Sequence, residues 1–186
     1  MEGQIIREVK IEGRLHTSIE ALLTVLGDIE QFPDWVPYLD NVEWLQKPDN
    51  NGASYVYIVT ALPWPVSDRD MIIKTTLSHD SQKKQITLTS SGVANHLPNV
   101  DGFIRIPSTE STWIITDSGQ GYLDTTLISH GDPGGYIPKW LANYAVVSGP
   151  KKMFNGLADN LNDVKWATMD YDMDSVFGYP NPMINW

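Results

Sequence analysis

The chain has no cysteine. That excludes disulfides, a thiolate nucleophile and Cys-based zinc sites. Positive charge is also scarce: 13 Lys and Arg stand against 23 Asp and Glu, a formal net charge of −10. Phosphate backbones are bound by clustered Lys and Arg, so the balance argues against a nucleic-acid partner. It argues equally against broad electrostatic adhesion to an anionic membrane, though not against brief hydrophobic contact. No apolar run approaches the roughly 20 residues of a membrane span. The start, MEGQIIREVKIEG, has neither the basic opening nor the apolar core of a signal peptide. A soluble, cytoplasmic protein is expected, and a leader removed upstream would be invisible in this sequence.

Catalytic and cofactor motifs are missing too. The four histidines, His16, His79, His96 and His130, form no HExxH and no i, i+4 pair on an expected helix. A hydrolytic triad is defined by geometry, and nothing in the spacing singles one out. Gly149-Pro150-Lys151-Lys152 lacks the spacing of a phosphate loop. Asp170-Tyr171-Asp172-Met173-Asp174 has the alternating acids of a calcium loop. Ser175 stands where the loop needs glycine, and Asn181 where it needs glutamate, so no metal site is assigned.

What the chain has is apolar and aromatic residues in regular patterns. With 186 residues, 41% of them hydrophobic, it can bury a core as one domain. Gln4 to Glu12 alternates as a half-buried strand, and Thr17 or Ser18 can cap a helix from Ile19 to about Gly27. Strands follow at Asn41 to Lys47, Ser54 to Ala61, Asp70 to Ser78 and Lys84 to Ser90. Asn50-Asn51-Gly52 is a hairpin turn, and Pro63 and Pro65 break the pattern between strands. Phe103 to Ile106, Ser111 to Asp117 and Tyr122 to His130 complete an antiparallel meander.

The longest helical pattern comes last. Trp140, Tyr144, Val147, Phe154, Ala158 and Leu161 fall on one face of a helix from Pro138 to Leu161. At roughly 1.5 Å per residue that helix is about 36 Å long. Gly149-Pro150 interrupts it, so a kink or break is expected near Val147 to Pro150. An aromatic-faced helix after a run of strands needs a sheet to lie against. Residues 1–163 are read as one domain and 164–186 as an aromatic tail without sustained period.

Several motifs, taken in order, carry a family resemblance. They are Pro63-Trp64-Pro65 with Ser67-Asp68-Arg69-Asp70, the strand Phe103-Ile104-Arg105-Ile106, the strand bearing Trp113, and Asp132-Pro133-Gly134-Gly135 with Ile137-Pro138 and Trp140-Leu141. With these the chain resembles the StAR-related lipid transfer (START) domains, within the helix-grip superfamily that includes polyketide cyclases. The likeness covers residues 5 to 162. It implies an α+β fold in which an antiparallel sheet wraps a long C-terminal helix around a hydrophobic tunnel. It also implies no prosthetic group and usually no catalysis. The strand after Asp70 reads Met71-Ile72-Ile73-Lys74-Thr75-Thr76, without the arginine that lipid-transfer members often pair with an acid in the tunnel.

Candidate ligand contacts follow from these patterns. Tyr55, Tyr57, Trp64, Trp113, Trp140 and Tyr144, with Phe154, suit either a pocket lining or a filled core, and the resemblance favours the pocket. Arg69 and Asp70 read first as a lock on the Pro-rich corner and second as ligand contact. Arg105 faces the tunnel with Phe103 if Ile104 and Ile106 face outward, and is solvated if they face in. The expected function is non-enzymatic binding, and transfer, of a lipid or other hydrophobic molecule. Gly92 to Gly102 and Gly131 to Tyr136 are the candidate lids. A cyclase-like enzyme is the alternative, and it needs His79, His130 or Asp124 to point inward as acid or base. A regulatory module docking through the aromatic tail is the third reading.

Overall fold

A computed structural model describes residues 6–49, 52–144 and 148–161. The tail, the Asn50-Asn51 turn and the expected kink at Val147 lie outside the described residues. The elements, in order, are β1 (Ile6–His16), α1 (Ile19–Gly27), a single 3-10 turn (Ile29–Gln31), α2 (Phe32–Trp35), β2 (Leu39–Gln46) and β3 (Ala53–Thr60). There follow β4 (Arg69–Asp80), β5 (Gln85–Gly92), β6 (Ile104–Arg105), β7 (Ser108–Gly119), β8 (Tyr122–Asp132), α3 (Lys139–Asn143) and α4 (Gly149–Leu161).

The strands form one sheet in the order β1-β8-β7-β5-β4-β3-β2, every neighbour on that path antiparallel. The first strand pairs with the last, which gives the meander its curl. The two-residue β6 departs from the expected pattern. It runs parallel to β4, with Arg69 opposite Ile104 and Asp70 opposite Arg105. Turn chemistry accounts for the tight connections. Asp80 Oδ1 accepts from the N–H groups of Gln82 and Lys83 at 3.0 and 3.1 Å. Gly119 and Gly121, at φ 82° and 77°, supply the left-handed backbone of the β7–β8 turn. Ser18 caps α1, its Oγ accepting from Ala21 N at 3.2 Å.

The helix expected from Pro138 to Leu161, with a kink or break near Val147 to Pro150, is described as α3 and α4 on either side of residues 145–147. Gly149 and Pro150 are the first residues of α4, where a proline loses no needed hydrogen bond. The apolar face also differs from the expected one. On α3 the buried residue is Leu141, while Trp140 faces solvent. On α4, Leu157 and Leu161 are buried, with Phe154 and Ala158 packed beside them.

The core is divided. One cluster joins α1 (Leu22, Leu23, Val25) to Ile86, Ile115 and Leu123 of the sheet and to Leu157 of α4. A second, smaller cluster joins Val66, after the Pro-rich corner, to Ile137 and Leu141, with Tyr38 and Leu62 against it. The interior between these clusters is where the sheet and the C-terminal helices fail to meet. Among the described residues, no helix is long and apolar enough to cross a membrane.

Candidate functional site

That gap is a cavity of about 380 Å³. Its sheet wall is built by Val9 and Ile11 of β1, Met71 of β4, and Leu127 and Ser129 of β8. Leu141, Tyr144 and Met153 come from the helices, and Val36, Pro37 and Tyr38 from the stretch after α2. Pro133 and Ile137 close it from the β8–α3 loop. In that loop Gly134 and Gly135 sit at φ 68° and 59°, and Asp132 Oδ1 accepts from Gly134 N at 2.8 Å. A shallower depression shares Val36, Pro37, Tyr38 and Tyr144 and carries Lys152 on its rim. Lys152 Nζ stands 5.6 Å from the centre of the Tyr144 ring, which in turn lies 5.1 Å from that of Tyr38.

Strand parity decides which side chains reach this space. Thr60, Arg69 and Met71 line it, so the alternate residues of β3 and β4 point to the other face. Tyr55, Tyr57 and Asp70 are on that outer face, beneath residues 93–98. There Tyr57 Oη donates to Asp70 Oδ2 at 3.0 Å. Arg105 donates from Nε to Asp70 Oδ1 at 2.9 Å and from Nη2 to Oδ2 at 2.7 Å. Its remaining donors go to the carbonyls of Ala94 (2.7 Å), Leu97 and Pro98 (both 3.1 Å). Arg105 is therefore neither in the cavity nor solvated. Ile106 faces the cavity, and the loop buries the arginine on the opposite side with an acid for company. Burial works to raise the Asp70 carboxyl, but hydrogen bonds from Arg105 and Tyr57 and the Arg105 charge outweigh it, holding it below the usual carboxylate range. Arg105 is raised, chiefly by the hydrogen bonds to Asp70. Burial, then Asp70, pushes the Tyr57 hydroxyl up.

Arg69 is different. It is 2% exposed and sits on the cavity wall. Nη1 donates to the Ser67 carbonyl, and Nη2 to the carbonyls of Gly134 and Tyr136, each at 3.2 Å. The guanidinium thereby ties the Pro-rich corner to the β8–α3 loop. Its Nε is buried without an acceptor among the described residues. Burial lowers the Arg69 pKa, with only a weaker opposing pull from Asp68.

Of the other candidate contacts, Tyr144 is on the cavity wall. Trp113 and Phe154 belong to the filled core. Tyr55 stacks on His96, their ring centres 4.7 Å apart. Phe103 is half-buried in the loop before β6. Trp64 is 91% exposed and Trp140 51% exposed. The residues proposed as acid or base are also off the cavity interior. Asp124 pairs with Arg14 on the surface, an ion pair that lowers its pKa. His79 is exposed. His130 reaches the rim, half-exposed, with Nε2 3.4 Å from Glu110 Oε2.

Sequence reasoning passed over most of the aliphatic wall, because aromatic residues drew the attention. Val9, Ile11 and Leu127 were visible as strand parity alone. One further feature emerges only from register. Ser54, Thr75, Ser90, Ser111 and Ser129 lie directly opposite one another across β3, β4, β5, β7 and β8. Thr75 Oγ1 and Ser90 Oγ share a hydrogen bond of 2.8 Å. This hydroxyl row borders the cavity at Ser129, one step from the apolar row Leu77, Leu88, Trp113 and Leu127.

A curled antiparallel sheet with C-terminal helices packed over a partly open apolar cavity defines a helix-grip protein with the build of a small-molecule binder. The START domain family model matches residues 4–167, and the chain belongs to that family. A STAR-related lipid transfer protein from Xanthomonas axonopodis shares the fold at TM-score 0.76 and 32% identity, over 85% of this chain and 87% of that one. An uncharacterised Pseudomonas aeruginosa protein is 29% identical over 75% of this chain and 66% of its own length. Mouse phosphatidylcholine transfer protein is 28% identical over 88% of this chain and 74% of its own. The chain thus spans about two thirds to three quarters of the length of these two relatives.

Proposed function

We propose that this protein binds one hydrophobic small molecule in the cavity and carries it, without chemistry, between membrane surfaces. The observation that carries the reading is the cavity itself. Close packing is the rule in protein interiors, so an apolar space of about 380 Å³ left open beside a filled core calls for an occupant. The volume lies at the low end of the roughly 300–1,000 Å³ typical of small-molecule pockets. That suits a single-chain molecule better than one with two long acyl chains. Burial of an acyl chain supplies the affinity, at about 0.8 kcal/mol per CH₂.

Three exposed aromatic residues near the cavity support membrane contact. Trp64, Tyr136 and Trp140 are 91%, 78% and 51% exposed. Trp64 sits on the corner that Arg69 ties to the carbonyl of Tyr136, and Trp140 lies on α3 just beyond. Trp and Tyr favour the membrane–water interface, and a chain of net charge −10 must adhere by such contacts rather than by charge.

The test is native mass spectrometry of protein exposed to a total lipid extract, followed by vesicle-to-vesicle transfer. A retained hydrophobic species is expected. Replacing Trp64, Tyr136 and Trp140 together with serine is expected to slow transfer at least about fivefold while the retained mass stays the same. A protein that emerges from the extract empty would overturn the reading.

A further inference from the structure

We infer that the cavity takes an amphiphile with an oxyanion end, carboxylate or phosphate, and that Arg69 is its anchor. The inference rests on the hydrophobic-carrier reading and names the chemistry of the ligand's polar end. The two buried arginines supply the contrast that carries it. Arg105 has a carboxylate and carbonyls for its donors, and so is complete without a ligand. Arg69 has three backbone carbonyls, an orphaned Nε and, among the described residues, no carboxylate at ion-pair distance. A buried guanidinium is stable only when its charge and its N–H groups are met. Carbonyl dipoles meet part of that need, and an oxyanion held by two N–H groups meets the rest.

The surroundings are arranged for such a guest. Asp68 and Asp132, on the two segments that flank Arg69, are turned to the backbone: Asp68 Oδ1 accepts from Leu62 N at 2.9 Å and Asp132 Oδ1 from Gly134 N at 2.8 Å. Neither acid stands at ion-pair distance from Arg69, and the pull of Asp68 on its charge is weaker than the effect of burial. Gly135 lies beside the guanidinium, where a Cβ would stand 3.9 Å from Nη2, an ordinary contact. The carbonyls that Arg69 holds belong to Gly134 and Tyr136, in the loop that closes the cavity. An oxyanion reaching Nη2 competes with those carbonyls, so the ligand's charged end and the closure of the loop are coupled. Lys152 is another cation nearby, but it is exposed on the rim of the shallower depression, where water already serves it.

The probes are palmitate, hexadecyl phosphate and hexadecanol, with acetate and inorganic phosphate as tail-less arms, titrated calorimetrically into the protein, Arg69→Gln and Lys152→Ala. Palmitate or hexadecyl phosphate is expected to bind about tenfold or more tighter than hexadecanol. Arg69→Gln is expected to erase that preference and keep hexadecanol binding, and Lys152→Ala to keep the preference. Equal affinities for acid and alcohol, or a preference that survives Arg69→Gln or vanishes in Lys152→Ala, overturn the anchor and leave the hydrophobic carrier standing. No binding of any long-chain probe overturns both. Tight binding of acetate or inorganic phosphate alone overturns the amphiphile. Should Arg69→Gln not fold, palmitate labelled with ¹³C at the carboxyl is titrated on the unmodified protein. A midpoint below that of palmitate in neutral micelles supports the anchor, and one at or above it overturns it.

Discussion

At the scale of single residues, two arginines of similar burial have opposite standing. Arg105 completes a network with Asp70 and Tyr57 that clamps residues 94–98 onto the outer face of the sheet. Removing one member of a buried ion pair leaves the other uncompensated, so Asp70→Asn is expected to cost about 3–5 kcal/mol by urea denaturation near pH 7. The pH dependence has a definite sign. Asp70 is held below the ordinary carboxylate range in the folded protein. The stability it contributes is present above the unfolded value, near 4, and is lost as pH falls through the lower folded value. Asp70→Asn therefore has a shallower loss of stability on the acid side than the unmodified protein. Equal acid slopes would show that Asp70 is not the group being titrated. The sequence read Arg69 and Asp70 first as a lock on the Pro-rich corner, but it did not show Asp70 pairing with Arg105 and Tyr57. Arg69 and Asp70 are adjacent, and a strand sends neighbours to opposite faces. Which face is inside depends on what covers the sheet, and the covering loop has no periodic pattern.

At the scale of elements, strand positions and their order were legible because apolar alternation and turn residues are local. The hairpin turn at Asp80 and the cap at Ser18 follow from side chains bonding to the nearest backbone N–H groups. The parallel pairing of β6 was not legible, since two residues carry no period. The helix face was half legible: Phe154, Ala158 and Leu161 read correctly, while on the short α3 one residue of phase puts Trp140 outside and Leu141 inside. α4 comes close to β1 at Gly13. A Cβ there would stand 2.3 Å from Phe154 Cζ, far inside contact distance. Gly13→Ala is expected to destabilise by about 1–3 kcal/mol, as overpacking does. Adding Phe154→Leu should recover most of that loss in the same denaturation assay. If Gly13→Ala is neutral, or the second change adds to the damage, the contact does not hold the helix to the strand.

At the scale of the whole molecule, the two halves of the interior have different duties, and they should answer substitution differently. The end built on Leu22, Ile115 and Leu157 is filled. Truncating Leu157, which is buried against that cluster, opens a cavity where packing is tight and is expected to cost about 2–5 kcal/mol. The other end is open, and Val9 stands on its wall, opposite Ser129 of β8. A larger apolar side chain there enters space instead of displacing neighbours. Val9→Phe is therefore expected to leave the thermal midpoint unchanged or raise it by about 2–4 °C. The same substitution removes the volume that a ligand needs, so the mass retained from lipid extract should fall to background. Separation of the two readouts is the decisive feature: stability kept and ligand lost at Val9, stability lost at Leu157. If Val9→Phe unfolds the protein as Leu157→Ala does, the space is part of an ordinary core and not reserved for a guest. If it keeps both stability and ligand, the guest sits elsewhere, and the polar anchor at Arg69 would have to be sought from another side of the sheet.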